Sequence, residues 1–144
     1  MGELSGKVKR PMTNMVSLVY ERIGRTSRSN QSGQMRRRIM SLRVVLCTAP
    51  NKAIAQQIAN SLVAEKLAAC VNIISGIESV YEWQDQIETD QEYQLIIKTA
   101  STCLDNAFHC VCALHPYDVP EWIVLDACAS EQYGMWMRNV LNNH

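Results

Sequence analysis

Apolar and polar residues along 41–144 repeat with two different periods, which predicts a definite order of strands and helices. A β-branched apolar run over 42–48 ends before Pro50, as expected of a central strand that meets a turn. Apolar residues at helical spacing follow over 51–67, with Asn51 as the candidate N-cap. The region therefore begins with a strand and a helix.

Two extended segments come next and predict a long hairpin. The first covers 69–83, and Ser75 and Gly76 within it mark a bend or a bulge. Residues 84–86 turn the chain back, and 87–99 alternate apolar with polar positions, the pattern of a strand with two different faces.

The remaining residues predict a helix, a strand and a terminal helix. The second helix starts after Ser101 or Thr102 as its cap, a strand covers 121–126, and the last helix covers 131–142 after Ser130 as its cap. Helical spacing places these residues on the apolar stripes: Leu104, Ala107, Phe108, Val111 and Leu114 or His115 on the second helix, and Tyr133, Trp136, Met137, Val140 and Leu141 on the last.

The predicted order is βαββαβ with a C-terminal helix. This is the ferredoxin-like α+β fold, in which two helices cover one face of four antiparallel strands. The other face and the edge of the long hairpin would expose apolar side chains and unpaired backbone groups. We therefore expect a homo-oligomer.

Charge divides the chain into two parts. Residues 1–43 carry ten Lys or Arg and two Asp or Glu, a net charge of +8. Residues 44–144 carry four Lys or Arg and twelve Asp or Glu, a net charge of −8. Nucleic-acid binding needs clustered Lys and Arg, so an acidic domain argues against it and favours a cationic partner. The sequence also has no apolar run long enough to span a membrane, which predicts a soluble, cytoplasmic protein.

Residues 1–40 predict a basic, disordered N-terminal extension, because their short apolar island cannot offset the entropy cost of ordering. Three interpretations stay open. The arginines and serines resemble an organellar transit peptide, a nucleic-acid-binding arm would look similar, and a start upstream of the natural one would also explain the segment. A transit peptide would change the predicted location from the cytoplasm to an organelle. The folded domain is predicted over 41–144.

Several separated motifs resemble the CutA divalent-cation tolerance family from about residue 42 to residue 141. The residues that carry the resemblance are Val45-Leu46-Cys47-Thr48-Ala49-Pro50-Asn51, Ala55 to Leu62, Leu67-Ala68-Ala69-Cys70-Val71-Asn72, Tyr81-Glu82-Trp83, Glu92, Ile97-Lys98-Thr99, His115-Pro116-Tyr117 and Pro120-Glu121. The resemblance implies a homotrimer whose hairpins pair between subunits, a role in tolerance of copper and other divalent cations, and an architecture like that of PII-like signalling proteins. Two residues depart from the family pattern: Asp85 stands where Gly is usual, and Leu114 stands where bacterial relatives often have a second histidine.

Cys47 and His115 are the predicted metal ligands. Cys47 lies at the end of a strand just before a helix, where backbone N–H groups favour a thiolate, and the resemblance implies that it binds copper. His115 supplies the other donor type suited to copper or zinc. A purely helical site of His109, Cys112 and His115 is not expected, because the core stripe puts His109 on the solvent face.

A second candidate site combines Tyr81, Trp83, Glu92 and Lys98, which the resemblance places near a cleft between subunits. Aromatic walls with one acid and one base could bind a small anion or zwitterion, and a packed interface with a Lys–Glu pair is the favoured alternative.

The motifs of nucleophilic, nucleotide-dependent and zinc-dependent enzymes are missing from the sequence, so we expect no conventional catalytic activity. The six cysteines lie mostly in periodic apolar segments, which predicts reduced thiols. The expected function is weak copper binding by a tolerance protein. A PII-like small-ligand sensor and a structural trimer that assembles partner proteins are the alternatives.

Overall fold

The computed structural model describes residues 40–142. The predictions made for residues 1–40 lie outside this stretch, except for Met40 itself. The fold below is therefore that of the predicted domain without residues 143–144.

Within residues 40–142, four strands form one antiparallel sheet. They are β1 (Leu42–Ala49), β2 (Cys70–Trp83), β3 (Gln86–Ala100) and β4 (Ile123–Asp126), in the spatial order β2-β3-β1-β4. All three pairs of neighbouring strands are antiparallel. This is the predicted ferredoxin-like arrangement, with β1 and β3 in the centre.

Three helices complete the described fold: α1 (Lys52–Ala64), α2 (Leu104–Leu114) and α3 (Glu131–Asn142). Helices α1 and α2 pack on one face of the sheet, where apolar side chains alternate along β1 and β3. This main core contains Val45, Cys47, Ala49, Ala55, Ile58, Leu62, Leu67, Ala68, Leu95, Ile97, Ala107 and Val111. Helix α3 belongs to a smaller cluster with Leu42, Ala69, Ala100, Cys103, Met137 and Leu141.

The β2–β3 hairpin contains both irregularities that the sequence predicts. The register shifts between Ile74 and Ile77, next to Gly76, whose φ of 72° is left-handed. At the tip, Gln84 and Asp85 have φ of 50° and 61°, as a two-residue hairpin turn requires. Aspartate tolerates this conformation, so the missing glycine does not change the turn.

Helix α1 begins as predicted and ends earlier than predicted. The Asn51 side chain accepts a hydrogen bond from the Ile54 N–H at 2.9 Å. Lys66 then adopts a φ of 60°, and the Leu67 N–H turns back to the Leu62 carbonyl at 2.9 Å. The helix therefore ends at Ala64, although Leu67 is still buried in the core.

The predicted side-chain cap of α2 is wrong. A 3-10 turn, Ser101–Cys103, precedes the helix, and no side chain caps its first turn. The Ser101 hydroxyl instead accepts a hydrogen bond from the Ser41 hydroxyl at 3.0 Å, which ties the turn to the start of β1.

Helix α3 has the predicted Ser130 cap, with the Tyr133 N–H 3.3 Å from the serine oxygen. Its buried stripe differs from the prediction, because Tyr133 and Trp136 are 40% and 44% exposed. Gly134 lies against Leu42, since a Cβ added there would be 3.6 Å from the leucine Cδ1. Strand β4 also starts at Ile123, two residues later than predicted.

Candidate functional site

The end of β1 and the end of α2 meet at one carbonyl oxygen. His115 Nε2 lies 2.7 Å from the Thr48 oxygen, and Cys47 Sγ lies 3.8 Å from the same atom. The thiol and the imidazole are therefore no farther apart than the sum of these two distances. Cys47 is fully buried and His115 is 8% exposed.

Local structure explains this convergence. Alternation along β1 puts Cys47 on the same face as Val45 and Ala49, toward the two helices. Helix α2 ends at Leu114, and His115 turns into an extended conformation while its N–H still bonds the Val111 carbonyl at 2.8 Å.

The contact with Thr48 also assigns the imidazole tautomer. A carbonyl oxygen only accepts hydrogen bonds, so Nε2 of His115 is the nitrogen that carries the proton. In a neutral ring the lone pair is then on Nδ1.

Electrostatics favour the protonated thiol of Cys47. Burial, followed by the nearby Glu121, Cys112 and Glu92, raises the pKa of Cys47 to about 12. The expectation that backbone N–H groups keep this residue a thiolate is therefore wrong for the metal-free chain. A metal bound at this sulfur must displace the proton.

Gln94 and Glu121 are the residues near this site that the sequence analysis missed. The Gln94 amide nitrogen donates to the Cys47 carbonyl at 3.0 Å, to the Leu95 carbonyl at 3.1 Å and to Glu121 Oε2 at 3.3 Å. It therefore joins β3, β1 and the segment that leads to β4. In the sequence Gln94 is one polar position of an alternating strand, which carries no signal for this role.

Side chains on the outer surface of α2 do not complete a metal site. His109 is exposed, as the helical phase predicts. Cys112 is exposed as well, although it is one of the groups that act on Cys47, and His115, just past the end of α2, is buried. Burial also raises the pKa of Cys112. Within residues 40–142, no three His, Cys, Asp or Glu side chains form a group that could hold a metal ion.

The four residues of the second candidate site share one face of the hairpin, and burial, followed by Asp90, Glu88 and Glu92, raises the pKa of Tyr81 to about 12. Tyr81 donates a hydrogen bond to the Asp90 carboxylate, and Glu92 is buried. Lys98 lies six residues beyond Glu92, about 20 Å along an extended strand, and its ammonium is 5.8 Å from the centre of the Tyr133 ring. The predicted cleft between subunits, which also includes Trp83, stays a prediction.

All six cysteines lie in the described stretch and each is a free thiol, as predicted. None of the helices between residues 40 and 142 combines the length and apolar character needed to cross a membrane.

Comparison with known proteins decides the family. The sequence profile of the family described as CutA1 divalent ion tolerance protein matches residues 43–140. The chain belongs to the CutA family. The CutA match covers both β1 and α2, and therefore Cys47 and His115.

Individual relatives agree with this assignment. The chain is 48% identical over 101 residues to the chloroplastic CutA protein of Arabidopsis thaliana. The aligned stretch covers 69% of this chain and 56% of that relative. It is 45% identical over 96 residues to the divalent-cation tolerance protein CutA of Thermus thermophilus. This alignment covers 66% of this chain and 93% of that relative. The matched stretch thus spans little more than half of the plant relative.

Solved CutA structures share the fold. The crystal structure of CutA1 from Oryza sativa superposes with a TM-score of 0.70 at 44% identity, covering 73% of this chain and 97% of that one. The resemblance noted in the sequence and the ferredoxin-like fold class are both confirmed.

Proposed function

We propose that this CutA family member is a homotrimeric tolerance protein that binds copper, and more weakly other divalent cations, through Cys47 and His115. The observation that carries the proposal is the convergence of the thiol and the imidazole on the Thr48 carbonyl. Sulfur and imidazole nitrogen are the donor types that suit copper and zinc. The family name, divalent ion tolerance, supports a cation as the ligand.

The number of donors predicts weak binding. Copper held firmly in a protein usually has three or more protein donors, and this pair supplies two. The thiol must also lose a proton whose pKa is about 12. The Glu121 carboxylate acts on the thiol and accepts a hydrogen bond from Gln94, so it is a candidate additional oxygen donor.

A titration tests the proposal directly. Isothermal titration of the full chain with copper(I) under anaerobic conditions, and with zinc(II), should give weak saturable binding, with copper tighter than zinc. His115→Ala should weaken copper binding, while His109→Ala on the exposed face of the same helix should not. An equal loss of copper affinity in both variants, or no binding of either copper or zinc by the unchanged protein, would contradict the assignment of this site.

Restoring the histidine that bacterial relatives often have provides a gain of function. Leu114→His adds an imidazole next to His115 and should tighten copper binding, because it adds a third donor. Ala113→His, one position earlier on the same helix, is the matched control and should leave the affinity unchanged. Melting curves of both variants check that the helix stays folded. Tightening by both variants would mean nonspecific imidazole binding.

The homotrimer is supported by apolar surface that one chain leaves open. Ile74 and Ile123 on the face away from α1 and α2 are 46% and 47% exposed, and Val80 and Ile87 on the hairpin are 64% and 74% exposed. The hairpin also extends past β1, whose pairing with β3 stops at Tyr93. An isolated two-stranded hairpin is marginal in water, so partner subunits are expected to cover it. Sedimentation velocity should give a trimer, and a folded monomer would contradict this.

We infer no conventional catalytic activity. The raised pKa of Cys47 works against its use as a nucleophile, since the thiolate is the reactive form. The names of the relatives describe tolerance of cations and no reaction. A small-ligand sensor and a structural trimer stay the alternatives, and a metal titration without binding would favour them.

The cellular location follows from residues 1–40. The Arabidopsis relative is named chloroplastic, which supports the organellar alternative over the cytoplasmic prediction. A fluorescent fusion to the full chain should then enter an organelle, and a fusion that begins at Met40 should stay in the cytoplasm. Cytoplasmic fluorescence from both fusions would contradict the organellar location and support the cytoplasmic one.

A further inference from the structure

The Cys47 thiol is closed off from solvent, so a metal ion reaches it only after a local movement of the chain. Cys47 is fully buried, and His115 beside it is 8% exposed. The sulfur faces the helices from the end of β1, in the same core as Val45 and Ala49. The residues that cover the thiol therefore decide how fast it can gain or lose a ligand.

The segment of residues 120–122, which leads into β4, lies along one side of this site, and we call it the strap. Pairing of β4 with β1 starts at Ile123, and the same register continued by one position puts Trp122 opposite Cys47. Side chains alternate along a strand, so Trp122 is on the helix side of the sheet, as Cys47 is. Trp122 is half-buried, packs against the core that contains Cys47, and has its ring centre 5.2 Å from that of Phe108 on α2.

Gln94 ties the strap to the backbone of the two central strands. Its amide nitrogen donates to the Cys47 and Leu95 carbonyls at 3.0 Å and 3.1 Å, which fixes the amide on the sheet. The same nitrogen donates to Glu121 Oε2 at 3.3 Å, and Glu121 is the residue next to Trp122. Gln94 therefore holds the strap just beyond the point where the pairing of β1 with β4 has ended.

We propose that Gln94 is a positioning residue that keeps the strap closed beside the Cys47 thiol, so that a metal ion reaches the sulfur when the bond between Gln94 and Glu121 opens. The proposal rests on the proposed metal site of Cys47 and His115 and adds a control of access to it. Gln94 acts through the position of the strap rather than as a metal ligand. A latch of this kind governs rates, whereas the donors of the site govern the affinity.

Alkylation of Cys47 by iodoacetamide measures the strap directly, whether or not the chain binds a metal. In the full chain, Gln94→Leu should speed the reaction of Cys47 about tenfold, the effect of about 1.4 kcal/mol in the opening equilibrium. Mass spectrometry of the peptides follows Cys103 in the same sample. Cys103 is 5% exposed in the smaller core, so it reports global unfolding and should react at an unchanged rate.

Gln57→Leu, on the exposed surface of α1, is the matched control and should leave the alkylation of Cys47 unchanged. An unchanged rate at Cys47 in Gln94→Leu would overturn the proposal. An equal increase at Cys47 and Cys103 would also overturn it, because Gln94 would then stabilise the whole domain and not the strap.

Two substitutions of Glu121 separate the hydrogen bond from the charge. Glu121→Leu and Glu121→Gln both remove the carboxylate that acts on the thiol, but the amide oxygen of glutamine can still accept a hydrogen bond from Gln94. Alkylation of Cys47 should therefore be severalfold faster in Glu121→Leu than in Glu121→Gln. Equal rates in the two variants would mean that this bond does not hold the strap.

Copper kinetics connect the strap to the proposed metal site. Stopped-flow mixing of copper(I) with the full chain under anaerobic conditions should show faster association and faster dissociation in Gln94→Leu, with an unchanged equilibrium affinity. Faster dissociation alone would make Gln94 part of the binding machinery and would overturn its role as a latch. Failure of the unchanged protein to bind copper would contradict the proposed function alone, because the alkylation of Cys47 decides the role of the strap.

Discussion

Cys47 shows how burial can dominate the chemistry of a single residue. Its position before a helix N-terminus would favour a thiolate, but its side chain is fully buried beside carboxylates, and the pKa rises to about 12. The sequence shows the strand and the following helix. It does not show that Glu121 and Glu92 come near the sulfur, because these contacts depend on the tertiary fold.

The raised pKa of Cys47 predicts a dependence of stability on pH in the metal-free protein. The ordinary thiol pKa is 9.0 and the folded value is about 12, so the folded state holds the proton more tightly. The contribution of Cys47 to the free energy of unfolding is complete below pH 9 and is lost as the pH rises toward 12, by up to about 1.4 kcal/mol per pH unit.

Urea unfolding at pH values from about 8 to about 11, a range that brackets the ordinary thiol pKa, measures this dependence. Cys47→Ala should flatten the decline, whereas Cys128→Ala on the exposed surface should leave it unchanged. An equally steep decline in Cys47→Ala would assign the loss of stability to other groups.

A buried threonine offers a second prediction for a single residue. The Thr99 hydroxyl donates to the Leu67 carbonyl at 2.6 Å and the residue is fully buried. Thr99→Val keeps the shape and leaves that carbonyl without its partner, so the free energy of unfolding should fall by about 1–3 kcal/mol. Thr89→Val, at an exposed position of the same strand, should change it by less than about 0.5 kcal/mol. Denaturant midpoints measure both, and equal effects would contradict the role of the buried bond.

The elements follow from local sequence where local interactions decide them. Alternation and helical spacing predict every strand and helix, and the Ser75–Gly76 irregularity and the Ser130 cap both appear in the structure. The errors arise where distant residues intervene. The Ser101 hydroxyl bonds to Ser41 instead of capping α2, and Gly134 lies against Leu42 while Tyr133 and Trp136 are exposed.

The cap of α1 is the element whose stability is most directly testable. Asn51→Ala removes the side-chain acceptor of the Ile54 N–H and should lower the free energy of unfolding by about 1 kcal/mol. Asn60→Ala, the same change at an exposed position inside the same helix, should raise it by a few tenths of a kcal/mol, about the difference in helix propensity. Thermal or denaturant unfolding measures both variants. A change of the same sign in the free energy of unfolding of Asn51→Ala and Asn60→Ala would contradict the role of the cap.

At the scale of the whole molecule, the uncovered face of the sheet and the long hairpin point to assembly. Ile96 lies on this face, opposite Leu46 of β1 and Asn72 of β2. Ile96→Glu should be tolerated by one chain, where the residue is only half-buried, and should be costly once a partner covers it.

Sedimentation velocity should therefore show a shift of Ile96→Glu toward smaller species, together with a lower melting temperature. Val63→Glu places the same charge on the exposed side of α1 and should assemble normally. Normal assembly of Ile96→Glu would mean that the trimer does not use this face.

The candidate site is predictable from sequence in part. Cys47 and His115 stand out by residue type and by family motif, and the structure brings them to one carbonyl. Gln94 and Glu121 do not stand out, because their bond joins residues that are distant along the chain. Local sequence patterns predict the strands, the helices and the types of donor atom, whereas the residues that surround each donor are set by tertiary packing.

The central claim is that copper binds through the sulfur of Cys47. The most direct measurement is anaerobic titration of copper(I) into the full chain and into two matched variants, Cys47→Ser and Cys112→Ser. We expect Cys47→Ser to abolish binding and Cys112→Ser, which changes an exposed thiol of α2, to retain the affinity of the unchanged protein. Copper affinity that survives Cys47→Ser, or that falls equally in Cys112→Ser, would contradict the account.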